Sequence, residues 1–213
     1  MTFSLILKAV FPPMCISCGV ITNDDKKPLC PDCDSQINYL NSEFFNAAIK
    51  SSCFDRAVSV ASFDTVWKDV IHGFKYNRRT YLAGPLSQML SKKVGYEYDL
   101  IVPVPLHVSR LKERGYNQSA LLAKRLAKEC GVKCVFNLLL RVAVNRPQVE
   151  FDAKERFANV KGVFAVGGGA DFRGKDILLI DDVMTTGATA NECARVLKKA
   201  GANKVDVLTL ARA

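Results

Sequence analysis

Residues 177–189 constrain the chain more than any other stretch. They read Ile177-Leu178-Leu179-Ile180-Asp181-Asp182-Val183-Met184-Thr185-Thr186-Gly187-Ala188-Thr189. The apolar run predicts a buried strand, because a strand covered on both faces has no polar alternation. Two acids stand at its carboxyl end, a hydroxyl-rich loop follows, and a helix begins. Open α/β sheets bind ligands at that end of their strands. Unpaired N–H groups at the helix start attract anions. Thr185, Thr186 and Thr189 add hydroxyl donors, and Gly187 lets the backbone approach a phosphate closely. Asp181 and Asp182 suit sugar hydroxyls or a hydrated Mg²⁺. Phosphate and diol recognition side by side points to a ribose 5-phosphate ligand. The plainer reading is a helix capped by Asp and Thr after a loop.

The flanking pattern is α/β. Residues 57–63 predict a strand, and Val66, Val70, Ile71 and Phe74 follow at helical spacing. Residues 82–93 predict a helix with Pro85 near its start, and 100–104 a short buried strand running into a loop. Ser119, Leu122, Ala123, Leu126, Ala127 and Cys130 mark one helical face. Residues 160–166 and 205–210 predict further strands. Between them Ala190, Cys193, Ala194, Leu197 and Ala200 form another helical face, stopped at Gly201. This alternation predicts a parallel sheet with crossover helices. Residues 56–213 are expected to form that domain. Residues 1–55 are expected to hold a short helix over 3–10, a cysteine module and a connector.

The chain has eight cysteines, four of them in two pairs, Cys15-x-x-Cys18 and Cys30-x-x-Cys33, with eleven residues between the pairs. Two tight turns supplying two thiolates each suit tetrahedral zinc. All four positions are filled by protein, so the expected zinc is structural. A module this small buries too little apolar area to fold alone, and metal would supply its folding energy. Two redox dithiols are the competing reading. Cys130 and Cys193 are expected in the core, and His72 in the core or at the surface. No basic leading segment or cleavage site precedes the cysteines, so a reducing, cytoplasmic setting is expected. No apolar run reaches the ~18 residues of a membrane span.

The net charge is +9. Residues 1–55 hold four basic and six acidic side chains, so residues 56–213 carry +11. Anionic partners are therefore expected on the α/β domain.

Residues 177–189 resemble the phosphoribosyl pyrophosphate motif of type I phosphoribosyltransferases. Together with the four cysteines, three further segments resemble the ComF family of competence-associated proteins. They are Val102-Pro103-Val104-Pro105-Leu106-His107, Arg114-Gly115-Tyr116-Asn117-Gln118 and Glu155-Arg156-Phe157-Ala158-Asn159-Val160. The resemblance implies a type I phosphoribosyltransferase-like domain behind a four-cysteine zinc module. It implies that Asp181 and Asp182 meet the ribose hydroxyls and act in catalysis. It implies that Thr185, Thr186, Gly187, Ala188 and Thr189 cradle the 5-phosphate, with Val183 and Met184 in the same phosphoribosyl pyrophosphate-binding run. The loop after the Val102 strand, carrying Arg110, Lys112 and Arg114, would hold the pyrophosphate with Mg²⁺. A solvated basic loop is the bland alternative for these three cations. Residues 141–156 resemble a closing loop, through which Arg146 or Gln148 would reach the ligand. Purine-salvage members often carry an acid where this chain has Thr185, which argues against hypoxanthine or guanine as acceptor.

Two functions compete. One is a phosphoribosyltransferase of unnamed acceptor acting in DNA uptake during natural transformation. The other is a single-stranded DNA-binding or nucleotide-sensing competence protein without turnover. The implied partners are phosphoribosyl pyrophosphate, single-stranded DNA and competence helicase or recombination proteins.

Overall fold

The computed structural model describes residues 12–22, 27–40, 52–142, 160–168 and 171–213. The expected helix over 3–10, Arg146, Gln148 and the segment 155–159 lie outside the described residues. The strands are β1 (Arg56–Ser62), β2 (Leu100–Pro103), β3 (Lys133–Cys134), β4 (Leu139–Arg141), β5 (Phe164–Val166), β6 (Asp176–Met184) and β7 (Lys204–Arg212). The helices are α1 (Pro31–Ser35), α2 (Thr65–Tyr76), α3 (Ala83–Ser91), α4 (Val108–Arg114), α5 (Gln118–Cys130) and α6 (Ala188–Lys199).

Five strands form one sheet in the order β1-β7-β6-β2-β3. Every pair in it is parallel. The apolar runs of β2, β6 and β7 have the composition this requires, because helices cover both faces. Alternate side chains serve opposite layers. Leu178 and Ile180 pack with α2, α3 and α5, while Ile177 and Leu179 pack with α6 and the β4–β5 hairpin. On the first face Trp67 is fully buried, and its indole N–H donates to the Leu210 carbonyl at 2.8 Å. Truncating a side chain of this size typically costs about 3–5 kcal/mol.

Three expectations change. The predicted strand over 160–166 is shortened to β5, which pairs antiparallel with β4 outside the main sheet. Gly162, at φ 77, turns the chain just before it. The loop expected after β2 contains α4. Its start is capped by His107, whose Nδ1 accepts the Ser109 N–H, and it stops at Gly115 with φ 81. Cys130 is exposed rather than in the core, whereas Cys193 is fully buried as expected. Cys130 is the last residue of α5, where the helix face has already left the sheet.

The cysteine-bearing segment packs into the first core layer. Cys15, Leu29, Cys30, Cys33 and Ile37 share one cluster with Val58, Trp67 and Leu82. Residues 38–40 lie antiparallel along the outer strand β1. Tyr39 bridges Ala61, the Leu40 N–H donates to the Val60 carbonyl at 2.9 Å, and the Ser62 N–H donates to the Asn38 carbonyl at 2.9 Å. Arg79 donates to the Ile16 carbonyl at 3.1 Å, tying the first cysteine turn to the end of α2.

Candidate functional site

The four paired cysteines meet. The Sγ atoms of Cys15, Cys18, Cys30 and Cys33 all lie within 4.8 Å of one another. Met14 and Ile21 pair across the first turn, and Gly19 bends it at φ 76. Cys30 caps α1, where its sulfur accepts the Cys33 N–H at 3.5 Å. Burial opposes ionisation of Cys15, but the backbone N–H groups of Cys18, Cys30 and Ser17 prevail and hold its thiol down at about 6. Burial and the neighbouring cysteine sulfurs push the Cys33 thiol up to about 12. Four crowded thiols cannot all ionise without a cation between them. A donor set of four clustered sulfurs fits zinc, which would supply that charge.

The second feature is a cavity of about 830 Å³ at the carboxyl ends of β2 and β6. Its walls come from several elements, of which four supply most of the polar groups. Residues 181–190 supply the acids, the Thr-Gly turn and the start of α6. The α4 segment supplies Arg110 and Arg114. The start of α5 supplies Asn117 and Ser119, and α2 supplies Lys75. Lys112 is on α4 but does not line the cavity, and it is exposed. His107 lines it, whereas His72 is exposed and stacks on Tyr76 at 4.6 Å between ring centroids.

The predicted strand end moves outward. Strand β6 continues through both acids to Met184, because β7 runs beside it and pairs Asp181 with Thr209 and Met184 with Arg212. This fixes the backbone of both acids in the sheet. Successive strand residues point to opposite faces, so the two carboxyls acquire different partners. Asp181 accepts the Ser119 hydroxyl and the Asp182 N–H, both at 2.9 Å. Asp182 is paired with Lys75 at 2.9 Å. Gly187 caps α6 at φ 75, a left-handed turn that a side chain would strain. The Thr186 hydroxyl accepts the Ala188 N–H at 3.4 Å.

Sequence reasoning missed Lys75 and Ser119. Both sit on helices whose apolar faces are legible, but their contacts to the acids are long-range. The Asn117 cap was a usable signal: its Oδ1 accepts the Ser119 N–H at 3.0 Å and its Nδ2 donates to the Val104 carbonyl at 3.0 Å. That cap fixes where α5 begins and so where Ser119 points. Arg114 is held by Gln118 at 3.2 Å and by the Tyr76 hydroxyl at 3.1 Å, with its guanidinium 4.7 Å from the Tyr76 ring centroid.

Burial, and then the Asp182 carboxylate, push the Asp181 carboxyl up to about 7. The folded chain therefore keeps a proton that the unfolded chain releases near the ordinary value of 3.8. The stability from this group is fully present below that value and is lost as the pH rises to about 7. Urea unfolding across that window should show stability falling with pH. Asp181→Asn should flatten the slope, and an unchanged slope would contradict the assignment.

The phosphoribosyl transferase domain family matches residues 115–213, and the double zinc ribbon domain family matches residues 6–44. Competence protein F of Haemophilus influenzae is 30% identical over 195 residues, covering 87% of this chain and 85% of that protein. The DNA utilization protein YhgH of Escherichia coli is 31% identical over 207 residues, covering 93% and 90%. The chain belongs to the ComF family. Another member-like relative, competence protein ComFC of Streptococcus pneumoniae, is 28% identical and covers 91% of each chain. Among solved structures, a glutamine phosphoribosylpyrophosphate amidotransferase from B. subtilis has a TM-score of 0.47 at 20% identity, covering 65% of this chain and 30% of that one. The ComF-family chain thus has a parallel-sheet phosphoribosyltransferase-type fold with an N-terminal four-cysteine zinc ribbon. Among the described residues, no helix is long and apolar enough to cross a membrane.

Proposed function

We propose that this protein binds phosphoribosyl pyrophosphate with Mg²⁺ in the cavity and acts in DNA utilisation, in the cytoplasm. One observation carries the reading: the acid pair, the Gly187 turn at the start of α6 and the cationic face of α4 share one cavity. Asp181 and Asp182 take the ribose hydroxyls. The turn 185–189 takes the 5-phosphate through N–H groups and hydroxyls. Arg110 and Arg114 take the pyrophosphate, with Lys112 adding charge from outside the cavity wall. The acids offer hard oxygen donors that suit Mg²⁺. Asp182, paired here with Lys75 at 2.9 Å, would help hold Mg²⁺, which would supply positive charge beside the ligand's phosphates. If the bound diphosphate is displaced from the anomeric carbon, the guanidinium groups stabilise the charge that develops on the leaving group.

The zinc ribbon and the α/β unit, divided near residue 55, serve different ends in this reading. The ribbon is structural and the α/β unit holds the ligand. The roles of competence and DNA utilisation come from the names of the relatives. A second reading, single-stranded DNA binding without turnover, is favoured by the exposed Tyr76 and Tyr81 beside Arg78.

Calorimetry decides between them. Saturable, Mg²⁺-dependent binding of phosphoribosyl pyrophosphate, with a matching rise in melting temperature, is the expected result. No binding at millimolar ligand, together with salt-sensitive binding of an oligonucleotide, would replace the first reading by the second.

A further inference from the structure

Arg141 is the last residue of β4 and lines the cavity. No assignment above uses it. The hairpin fixes its backbone: Arg141 pairs with Phe164, and the Val142 N–H donates to the Val163 carbonyl at 2.8 Å. Leu139, two residues earlier, is buried in the second core layer. The guanidinium stands 5.6 Å from the Phe164 ring centroid. Its Nε is buried and has no hydrogen-bond partner among the described residues. Nor does Arg141 make an ion pair among them. Arg114 also has a buried, unpartnered Nε, but its outer nitrogens are engaged by Gln118 and Tyr76. Arg141 therefore differs from Arg114 in lining the cavity without a hydrogen bond from its guanidinium to another described residue.

A guanidinium cannot shed its proton to relieve burial. Left unpaired and half-buried, it costs stability, and such a cost is typical of groups waiting for a ligand's charge. Burial holds the Arg141 pKa below the ordinary range, the nearby Arg110 adds to that, and Cys193 and Asp181 oppose it. Two cations that repel each other across one cavity suit an anion with two charged ends.

We propose that Arg141 is an anion-binding residue of this cavity, gripping a diphosphate group through its free guanidinium fork in company with Arg110. The fork matches two phosphate oxygens at once, which a lysine ammonium does not. The inference rests on the phosphoribosyl pyrophosphate reading only for what carries the diphosphate.

The test uses the full-length, zinc-loaded protein and the variants Arg141→Gln and Arg141→Lys. Each is titrated with Mg²⁺-pyrophosphate, ribose 5-phosphate and phosphoribosyl pyrophosphate, and each is melted without ligand. Arg141→Gln should weaken pyrophosphate binding about tenfold or more, as loss of a charge-assisted pair of hydrogen bonds does. Arg141→Lys should recover only part of it, and ribose 5-phosphate binding should stay within about twofold. Without ligand, Arg141→Gln should melt at or above the parent, because a buried unpaired charge is gone. A purely structural arginine would lower the melting temperature instead. Equal pyrophosphate affinity in parent and Arg141→Gln would overturn the proposal. So would a parent that binds no pyrophosphate, or a large fall in melting temperature in both variants. A parent that binds pyrophosphate through Arg141 but ignores phosphoribosyl pyrophosphate would uphold Arg141 and sink the ribosyl reading.

Discussion

Replacing Cys30 with Ser is expected to strip the metal and to destabilise the whole chain, not the ribbon alone. The four sulfurs converge within 4.8 Å, and structural zinc sites of this kind contribute roughly 10–16 kcal/mol of apparent binding energy. A domain holds only about 5–15 kcal/mol in total. Cys30 is also buried in the cluster that contains Trp67 and Val58. Losing the metal therefore opens the layer over β1 and α2 as well. Elemental analysis should find zinc reduced to background, and thermal unfolding should begin far earlier or lose its cooperativity. Cys130→Ser is the control. Its side chain is exposed, so its effect should stay within about 0.5 kcal/mol. A Cys30→Ser protein with full zinc and an unchanged melt would show that the sulfurs meet for another reason.

The acid pair carries the second large effect, and its two members should behave differently. Asp181→Asn removes a carboxyl that burial already disfavours in its charged form. It should leave the protein as stable or more stable near neutral pH. Asp182→Asn leaves the Lys75 ammonium without its carboxylate at 2.9 Å, so it should cost stability, on the order of 1–3 kcal/mol for a largely buried pair. Both should lose phosphoribosyl pyrophosphate binding by about a hundredfold or more, since each charge-assisted bond contributes roughly 1.5–3 kcal/mol. Calorimetry and urea unfolding on the same samples separate the two readouts. Normal binding in either variant would remove that acid from the site.

The sequence made the central strands legible for a simple reason. Strands β2, β6 and β7 are covered on both faces, so their apolar runs are continuous and hard to mistake. Strand β3 has two residues and β4 has three, too few to show any period. Helix α4 was hidden because Val108 and Leu111 are exposed, which leaves it no apolar face to betray its turn. The acids and the Thr-Gly turn are contiguous, so the heart of the site could be read directly. Ser119, Lys75 and Arg141 reach the same cavity from three separate elements. Apart from the Asn117 cap beside Ser119, nothing local marks them, because only the topology brings them together. The basic cluster was half legible: helical geometry turns Arg110 and Arg114 to the cavity and leaves Lys112 on another side.

The three residues laid along β1 have a consequence for life in a crowded cell. An uncovered outer strand is a template on which another chain can pair. Here residues 38–40 occupy that template, and they are reached directly from the second cysteine pair. The metal therefore acts as the catch on a guard rail. Loss of zinc is therefore expected to loosen residues 38–40 from β1 and leave that edge open to pairing between copies, which light scattering with and without a chelator would detect. Solubility of this chain is thereby expected to follow metal supply, with no change in its charged surface residues.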